Sequence, residues 1–139
     1  MKWKELKLSL SICVLYLLVE LFIMPIGNHP LNDDWVLKIY IDNLINKGWF
    51  DSPNWGGGLM LPQLFFGFFI GQLFGSGFLV LRSLNILVAI ILVFVMLSYT
   101  KNERKKMLGL LLISNILFLL SANNFMPDMI FSLFFVWSC

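Results

Sequence analysis

Residues 59–100 form an apolar stretch in which Arg82 is the only charged side chain. A membrane-spanning helix needs about 20 predominantly apolar residues, so two apolar helices fit within this stretch by length. The composition agrees, because 59% of the 139 residues are hydrophobic and 13% are charged, whereas soluble domains carry about 25% charged residues. We therefore expect an integral membrane protein, and neither a soluble enzyme nor a disordered chain.

Nucleic-acid binding and cysteine chemistry find no support in the sequence. The net charge is only +2, and the basic residues occur in short clusters rather than along one basic face. Cys13 lies inside an apolar run and Cys139 is the last residue. Neither cysteine has a partner at the spacing of a metal site or a disulfide.

The first apolar segment, Leu8–Ile26, is interrupted only by Glu20 and Pro25. It is preceded by three lysines, at positions 2, 4 and 7. Positive charge favours the cytoplasmic side, so we interpret the segment as an uncleaved membrane helix with a cytoplasmic N-terminus. A cleaved signal peptide is the alternative, since it also has a basic start and an apolar centre. The run is longer than is usual for a signal peptide, and no small-residue cleavage site follows it.

Residues 28–60 are the least apolar part of the chain and are expected to form the first external loop. Within them, Asp34–Lys47 has the apolar period of an amphipathic helix. Gly48 follows it and suits the left-handed conformation that often ends a helix. The apolar face is predicted to contain Trp35, Val36, Ile39, Tyr40 and Leu44. We expect this helix to lie on the membrane surface.

The long apolar stretch is predicted to hold two helices, Leu61–Phe74 and Phe78–Tyr99, separated by a Gly-Ser-Gly sequence. The loop at 101–106 carries four basic residues and one acid, which favours the cytoplasm. If this loop and the N-terminus share the cytoplasm, only one of the two helices crosses. Leu61–Phe74 would be about 21 Å long, too short for a hydrocarbon core of about 30 Å. We interpret it as re-entrant or interfacial; the alternative is that both helices cross and the basic loop faces outward.

The segment from Met107 to about Leu120 is expected to cross back outward, and Met129 begins a further apolar helix. That helix stops in mid-span, which suggests that residues 1–139 are a single membrane domain from the front portion of a longer protein. The predicted fold class is all-α: a polytopic transmembrane helix bundle with an external amphipathic helix and a short re-entrant or interfacial helix.

This topology brings three acids, Asp33, Asp34 and Asp128, to the same membrane face. Arg82 would lie one turn inside that face and Glu20 about one and a half turns inside. Arginine binds phosphate through two parallel hydrogen bonds, and a carboxylate can accept a proton from an incoming hydroxyl. Ionisable groups within membrane segments are functional-site hypotheses. The arrangement predicts a polar site for an anionic, membrane-borne substrate.

Each candidate residue also has a structural interpretation, which the spacing leaves open. Asp33 and Asp34 would serve equally well as caps of the following helix. Arg82 would equally snorkel to the interface or pair with Glu20. Asp128 would be a favourable acid in the first turn of a helix.

Several short motifs follow one another in a recognisable order. They are an N-terminal membrane helix, Leu31-Asn32-Asp33-Asp34-Trp35, Leu44…Gly48, Trp55, Leu61…Gln63…Gly67, Leu73-Phe74-Gly75…Phe78…Leu81-Arg82, a basic loop, and Phe125-Met126-Pro127-Asp128…Phe131. This order resembles the amino-terminal part of the GT-C glycosyltransferases, in the branch of the protein mannosyltransferases and aminoarabinose transferases. The resemblance covers nearly the whole chain and about the first quarter of a typical family member.

The resemblance implies a multi-pass transferase that takes a sugar from a polyprenyl-phosphate carrier at the external membrane face. It places the catalytic base at Asp33, the second acid of the pair at Asp34 and a further site acid at Asp128. It also places Arg82 near the carrier phosphate, and Glu20 is a candidate substrate contact. Pro127 departs from the family pattern, which often has threonine before the later acid.

The expected partners are a polyprenyl-phosphate sugar donor and the lipid bilayer, without nucleic acid. The resemblance leaves a divalent cation open and indicates no other cofactor, and the sequence does not indicate an oligomeric state. The expected location is a bacterial-type plasma membrane, crossed several times, with the N-terminus in the cytoplasm. Two alternatives are a small non-enzymatic integral membrane protein and a transporter fragment. The acids cluster at one face rather than at mid-membrane, which argues against the transporter.

Overall fold

The computed structural model describes residues 3–24, 34–48, 61–100, 102–125 and 128–138. Within these ranges the chain is all-helical, which confirms the predicted fold class of a helical bundle. The helices are α1 (Trp3–Ile23), α2 (Asp34–Lys47), α3 (Leu61–Phe74), α4 (Phe78–Tyr99), α5 (Asn102–Ser114), α6 (Ile116–Asn123) and α7 (Asp128–Ser138).

The helix α4 lies at the centre of the bundle and packs against α1, α3, α6 and α7. Its fully buried apolar residues include Leu81, Ala89 and Val93. Both α1 and α4 are long and apolar enough to cross a membrane. The apolar but shorter α3 has 14 residues.

The polarity of α1 is inverted relative to that of a helix in a water-soluble protein. Its buried stripe is formed by Ser9, Cys13, Tyr16 and Glu20, spaced three or four residues apart. Leucine, valine and phenylalanine side chains cover its exposed faces. Small and polar residues at helix interfaces, with apolar residues outside, are typical of helices surrounded by lipid. The protein is therefore a membrane protein.

The helices α2 and α3 pack closely because α3 carries glycine where α2 approaches. A Cβ atom added at Gly67 would lie 2.4 Å from Ile41 Cδ1, and one at Gly71 would lie 2.9 Å from Ile45 Cδ1. The residues that α2 buries in the bundle overlap only in part with its predicted apolar face. Val36 and Tyr40 are buried, but Leu37 and Ile41 complete the buried set instead of the other predicted residues, while Trp35 is exposed.

The expected crossing from Met107 to Leu120 is not one continuous helix. Its two parts, α5 and α6, are bent by 62° at Asn115. The Asn115 side chain accepts hydrogen bonds from the backbone N–H groups of Leu117 and Phe118, and so caps α6. Asparagine competes with helical backbone hydrogen bonds in this way, which favours a new helix start over continuation.

The two ends of the bundle differ in chemistry. At one end α1 finishes while α2 and α4 begin; we call this the acidic end, and it carries Glu20, Asp34 and Arg82. At the opposite end α1 and α5 begin; we call this the basic end, and it carries Lys4, Lys7 and the basic residues at 104–106.

Candidate functional site

Buried polar side chains from five helices meet at the acidic end. We call this set the polar layer; it consists of Glu20, Asp34, Gln63, Arg82, Asn85 and Asn123. Five of the six members lie within five residues of an end of their helix, and Asn85 lies one turn beyond Arg82 on α4. Burying a polar group without a partner is costly, so the pairing within the layer determines what each group can do.

The centre of the polar layer is an ion pair between α2 and α4. Arg82 donates from Nη2 and Nε to Asp34 Oδ2, at 3.0 and 3.3 Å. Both side chains have 0% exposure. The Arg82 guanidinium also lies 5.4 Å from the ring centroid of Phe78. Asp34 is the first residue of α2, where the positive end of the helix dipole further favours a carboxylate.

A chain of amide contacts continues the polar layer from α3 across α4. Gln63 Nε2 donates to Asn85 Oδ1 at 3.0 Å, and Asn85 Nδ2 donates to the backbone carbonyl of Asn124. These contacts connect α3 and α4 to the end of α6. An amide side chain in an apolar helix needs such partners, since lipid offers none.

Glu20 contacts a different helix from the one expected. Asn123 Nδ2 donates to Glu20 Oε2 and to the backbone carbonyl of Leu119. The interpretation that pairs Arg82 with Glu20 is therefore wrong, because α2 places a nearer acid against Arg82 and α6 provides an amide for Glu20. In the described part of the chain, Glu20 Oε1 and Asn123 Oδ1 are buried acceptors without a hydrogen-bond donor.

The structure brings together three of the five predicted site residues, Glu20, Asp34 and Arg82, at the acidic end. Asp33 lies outside the described residues. Asp128 is the first residue of α7, but its side chain is not described. The structure shows that Asp34 is more than a residue at the start of α2, because its carboxylate also forms an ion pair with Arg82.

The amides Gln63, Asn85 and Asn123 were not predicted as site residues. The sequence contains a signal for Gln63 and Asn85, because each is a polar amide within an apolar helix. Such a side chain needs a hydrogen-bond partner inside the bundle. Asn123 carries no such signal, because it follows the predicted end of the crossing at about Leu120. Its burial depends on the contact between α6 and α1.

Two other features of the described residues were considered as part of this site: metal-ligand clusters and an apolar cleft. Among the side chains that the structure describes, no group of three histidine, cysteine or carboxylate residues is arranged to hold a metal ion. An apolar cleft of about 260 Å³ lies between α4, α6 and α7, beside Leu92, Phe118 and Val136. Leu92 is seven residues beyond Asn85, about 10 Å along α4, so the cleft is separate from the polar layer.

Comparison of the chain with protein-family models, with curated proteins and with solved structures finds no match.

Proposed function

We propose that the protein takes part in transferring a sugar from a polyprenyl-phosphate donor to an acceptor at the external membrane face. The resemblance to the GT-C glycosyltransferases supplies the activity. The buried ion pair of Asp34 and Arg82 is the observation that carries the proposal in the structure. It fixes the first residue of α2 at the acidic end of the bundle, and Asp33 directly precedes that residue in the sequence. We propose that a membrane-borne donor and an external acceptor meet at this end.

The proposal divides the work between two neighbouring acids. Asp33 removes the proton from the acceptor hydroxyl, whose oxygen then attacks the anomeric carbon of the sugar. The bond from that carbon to the phosphate oxygen breaks, and the polyprenyl phosphate leaves with the electron pair. Asp34 is bound to Arg82 and acts as a positioning residue, because it holds the segment that contains the base. Orientation of this kind accounts for a large part of many enzymatic rate enhancements.

Two roles are conceivable for Arg82: contact with the carrier phosphate and positioning of Asp34. The resemblance places it near the carrier phosphate, but its guanidinium is fully buried on Asp34. Burial favours a positioning role, in which the arginine holds Asp34 at the start of α2 and contributes positive potential at the site. A direct contact with phosphate would require the guanidinium to become accessible.

Donor recognition is the first test. The chain, reconstituted in lipid nanodiscs, is titrated with polyprenyl phosphate and, separately, with the polyprenol of equal length. We expect binding of the phosphate at least tenfold tighter than binding of the alcohol. Arg82→Gln should reduce this difference, because it removes the positive potential that the arginine contributes at the site. Lys38→Gln, which removes a cation from α2, should leave the difference unchanged. Equal binding of the two lipids would overturn the proposal and favour a non-enzymatic membrane protein, in which the ion pair only stabilises the bundle.

Transfer itself is measured with radiolabelled polyprenyl-phosphate sugars in membranes containing the protein. Loss of a positioned general base costs about 10²–10⁴ in rate, so Asp33→Asn should reduce transfer by that factor at equal expression. Asp51→Asn is the matched control, since it removes an acid from the same predicted loop. Full activity of Asp33→Asn would refute the base assignment, and loss in Asp34→Asn alone with an intact fold would move it by one residue.

A further inference from the structure

The basic end of the bundle brings two helix N-termini side by side. Lys105 Nζ donates to Ser9 Oγ at 3.4 Å, across the contact between α5 and α1. One turn further along, a Cβ atom added at Gly109 would lie 2.8 Å from Ile12 Cγ2. Both helices begin at this end, so the close packing aligns their first turns in parallel.

Positive charge in the sequence is concentrated in the two segments at which α1 and α5 begin. Residues 1–7 and 101–106 contain seven of the ten basic residues and two of the eight acidic residues of the chain. These two segments therefore carry a formal charge of +5, and the remainder of the chain carries −3, which gives the net +2. Among the described side chains, Lys4, Lys7, Arg104 and Lys106 are exposed here.

The position of these cations is unfavourable for the protein alone. Lys4 and Arg104 lie in the first turns of α1 and α5, at the positive end of the helix dipole, where anions are favoured. Lys105 adds a second electrostatic cost. Its side chain is 1% exposed, and in the described ranges its one hydrogen-bond partner is the Ser9 hydroxyl. A neutral hydroxyl compensates a buried ammonium only weakly. An anion at this end would relieve both effects.

We propose that the basic end binds the phosphate of an anionic phospholipid, held between the first turns of α1 and α5. Charge complementarity and the membrane location favour a lipid headgroup over a soluble anion, since basic pockets between membrane helices commonly bind such headgroups. Trp3 supports this location: it is 69% exposed, and Lys7 Nζ lies 5.3 Å from its ring centroid. Tryptophan is enriched at the depth of the lipid headgroups. This proposal is independent of sugar transfer.

The test compares lipid retention by the whole chain. The protein is reconstituted in nanodiscs containing equal amounts of phosphatidylglycerol and phosphatidylcholine, extracted gently, and analysed for bound lipid by native mass spectrometry. We expect enrichment of phosphatidylglycerol that falls as salt increases. Each exposed basic residue removed should lower the enrichment about fivefold, so the double variant Arg104→Gln/Lys106→Gln should abolish most of it. Both positions are exposed, and circular dichroism verifies the fold.

The matched control is Lys38→Gln/Lys47→Gln, which removes two cations from α2 on the opposite side of the bundle. It should leave the enrichment unchanged. Inorganic phosphate at millimolar concentration should not displace the lipid. Equal retention of the two lipids by the wild type would overturn the proposal. Equal losses of enrichment in the two double variants would also overturn it, because the effect would then reflect net charge alone. Displacement of the lipid by free phosphate would overturn it as well, because it would show a site for a soluble anion.

Discussion

The ion pair between Asp34 and Arg82 predicts a specific pattern of stability in single and double variants. Arg82→Gln leaves a buried carboxylate without its countercharge, and Asp34→Asn leaves a buried guanidinium. Removing one partner of a buried pair costs about 3–5 kcal/mol, and the position of both residues near the ends of their helices favours the lower figure. We therefore expect each single variant to lose about 3 kcal/mol. Independent effects would make the double variant lose about 6 kcal/mol.

The double variant Asp34→Asn/Arg82→Gln is expected to lose less than about 3 kcal/mol, because it buries two neutral amides and no charge. The assay is unfolding of the chain in mixed micelles by increasing amounts of SDS, followed by tryptophan fluorescence. Lys38→Gln is the control, since Lys38 and Asp42 form a partly exposed ion pair one turn apart on α2, at 2.5 Å. Such pairs contribute about 0.3–0.5 kcal/mol. Additive losses in the double variant, or single losses as small as the control, would refute the reasoning.

Three further predictions concern packing, capping and topology. Gly67→Ala should lower the free energy of unfolding by about 1–3 kcal/mol through overpacking. Adding Ile41→Val should recover part of that loss, because it removes the Cδ1 atom that an added Cβ would approach. Unfolding in micelles measures both effects. Asn115→Ala should lose about 1 kcal/mol through the missing cap of α6, and Asn115→Ser should lose less, while an unchanged stability would contradict the capping role. With the native cysteines replaced by serine, Ser76→Cys should react with a membrane-impermeant thiol reagent from outside the cell and Asn102→Cys should not; the reverse pattern would invert the predicted topology.

The bounds of α2, α3 and α4 were predictable because their signals are local. Gly48 and Gly75 adopt positive φ angles of 71° and 88° next to the ends of α2 and α3, as expected of glycine at helix ends. The face that α2 buries was not predictable from its own pattern. It depends on the glycines of α3, which accept Ile41 and Ile45 and so rotate the contact away from Trp35.

The partners within the polar layer were even less predictable. Arg82 lies 48 residues from Asp34 in the sequence, and the expected depths in the membrane suggested Glu20 as its partner. The contact of α1 with α6 gives Glu20 a different partner, Asn123. Neither helix has a sequence pattern that predicts this contact. The break at Asn115 did have a local signal, an amide able to cap, but uninterrupted apolar residues on both sides concealed it.

The contact between Glu20 and Asn123 has a consequence for the order in which the protein is assembled. The two residues are 103 positions apart, and ribosomes add about 5–20 residues each second. Glu20 therefore waits about 5–20 s for its partner after it has been synthesised. Because it lies in the last turn of α1, the carboxylate can remain hydrated at the membrane surface during that interval. Positions near helix ends allow these polar groups to be inserted one helix at a time, before the later helices dehydrate them together.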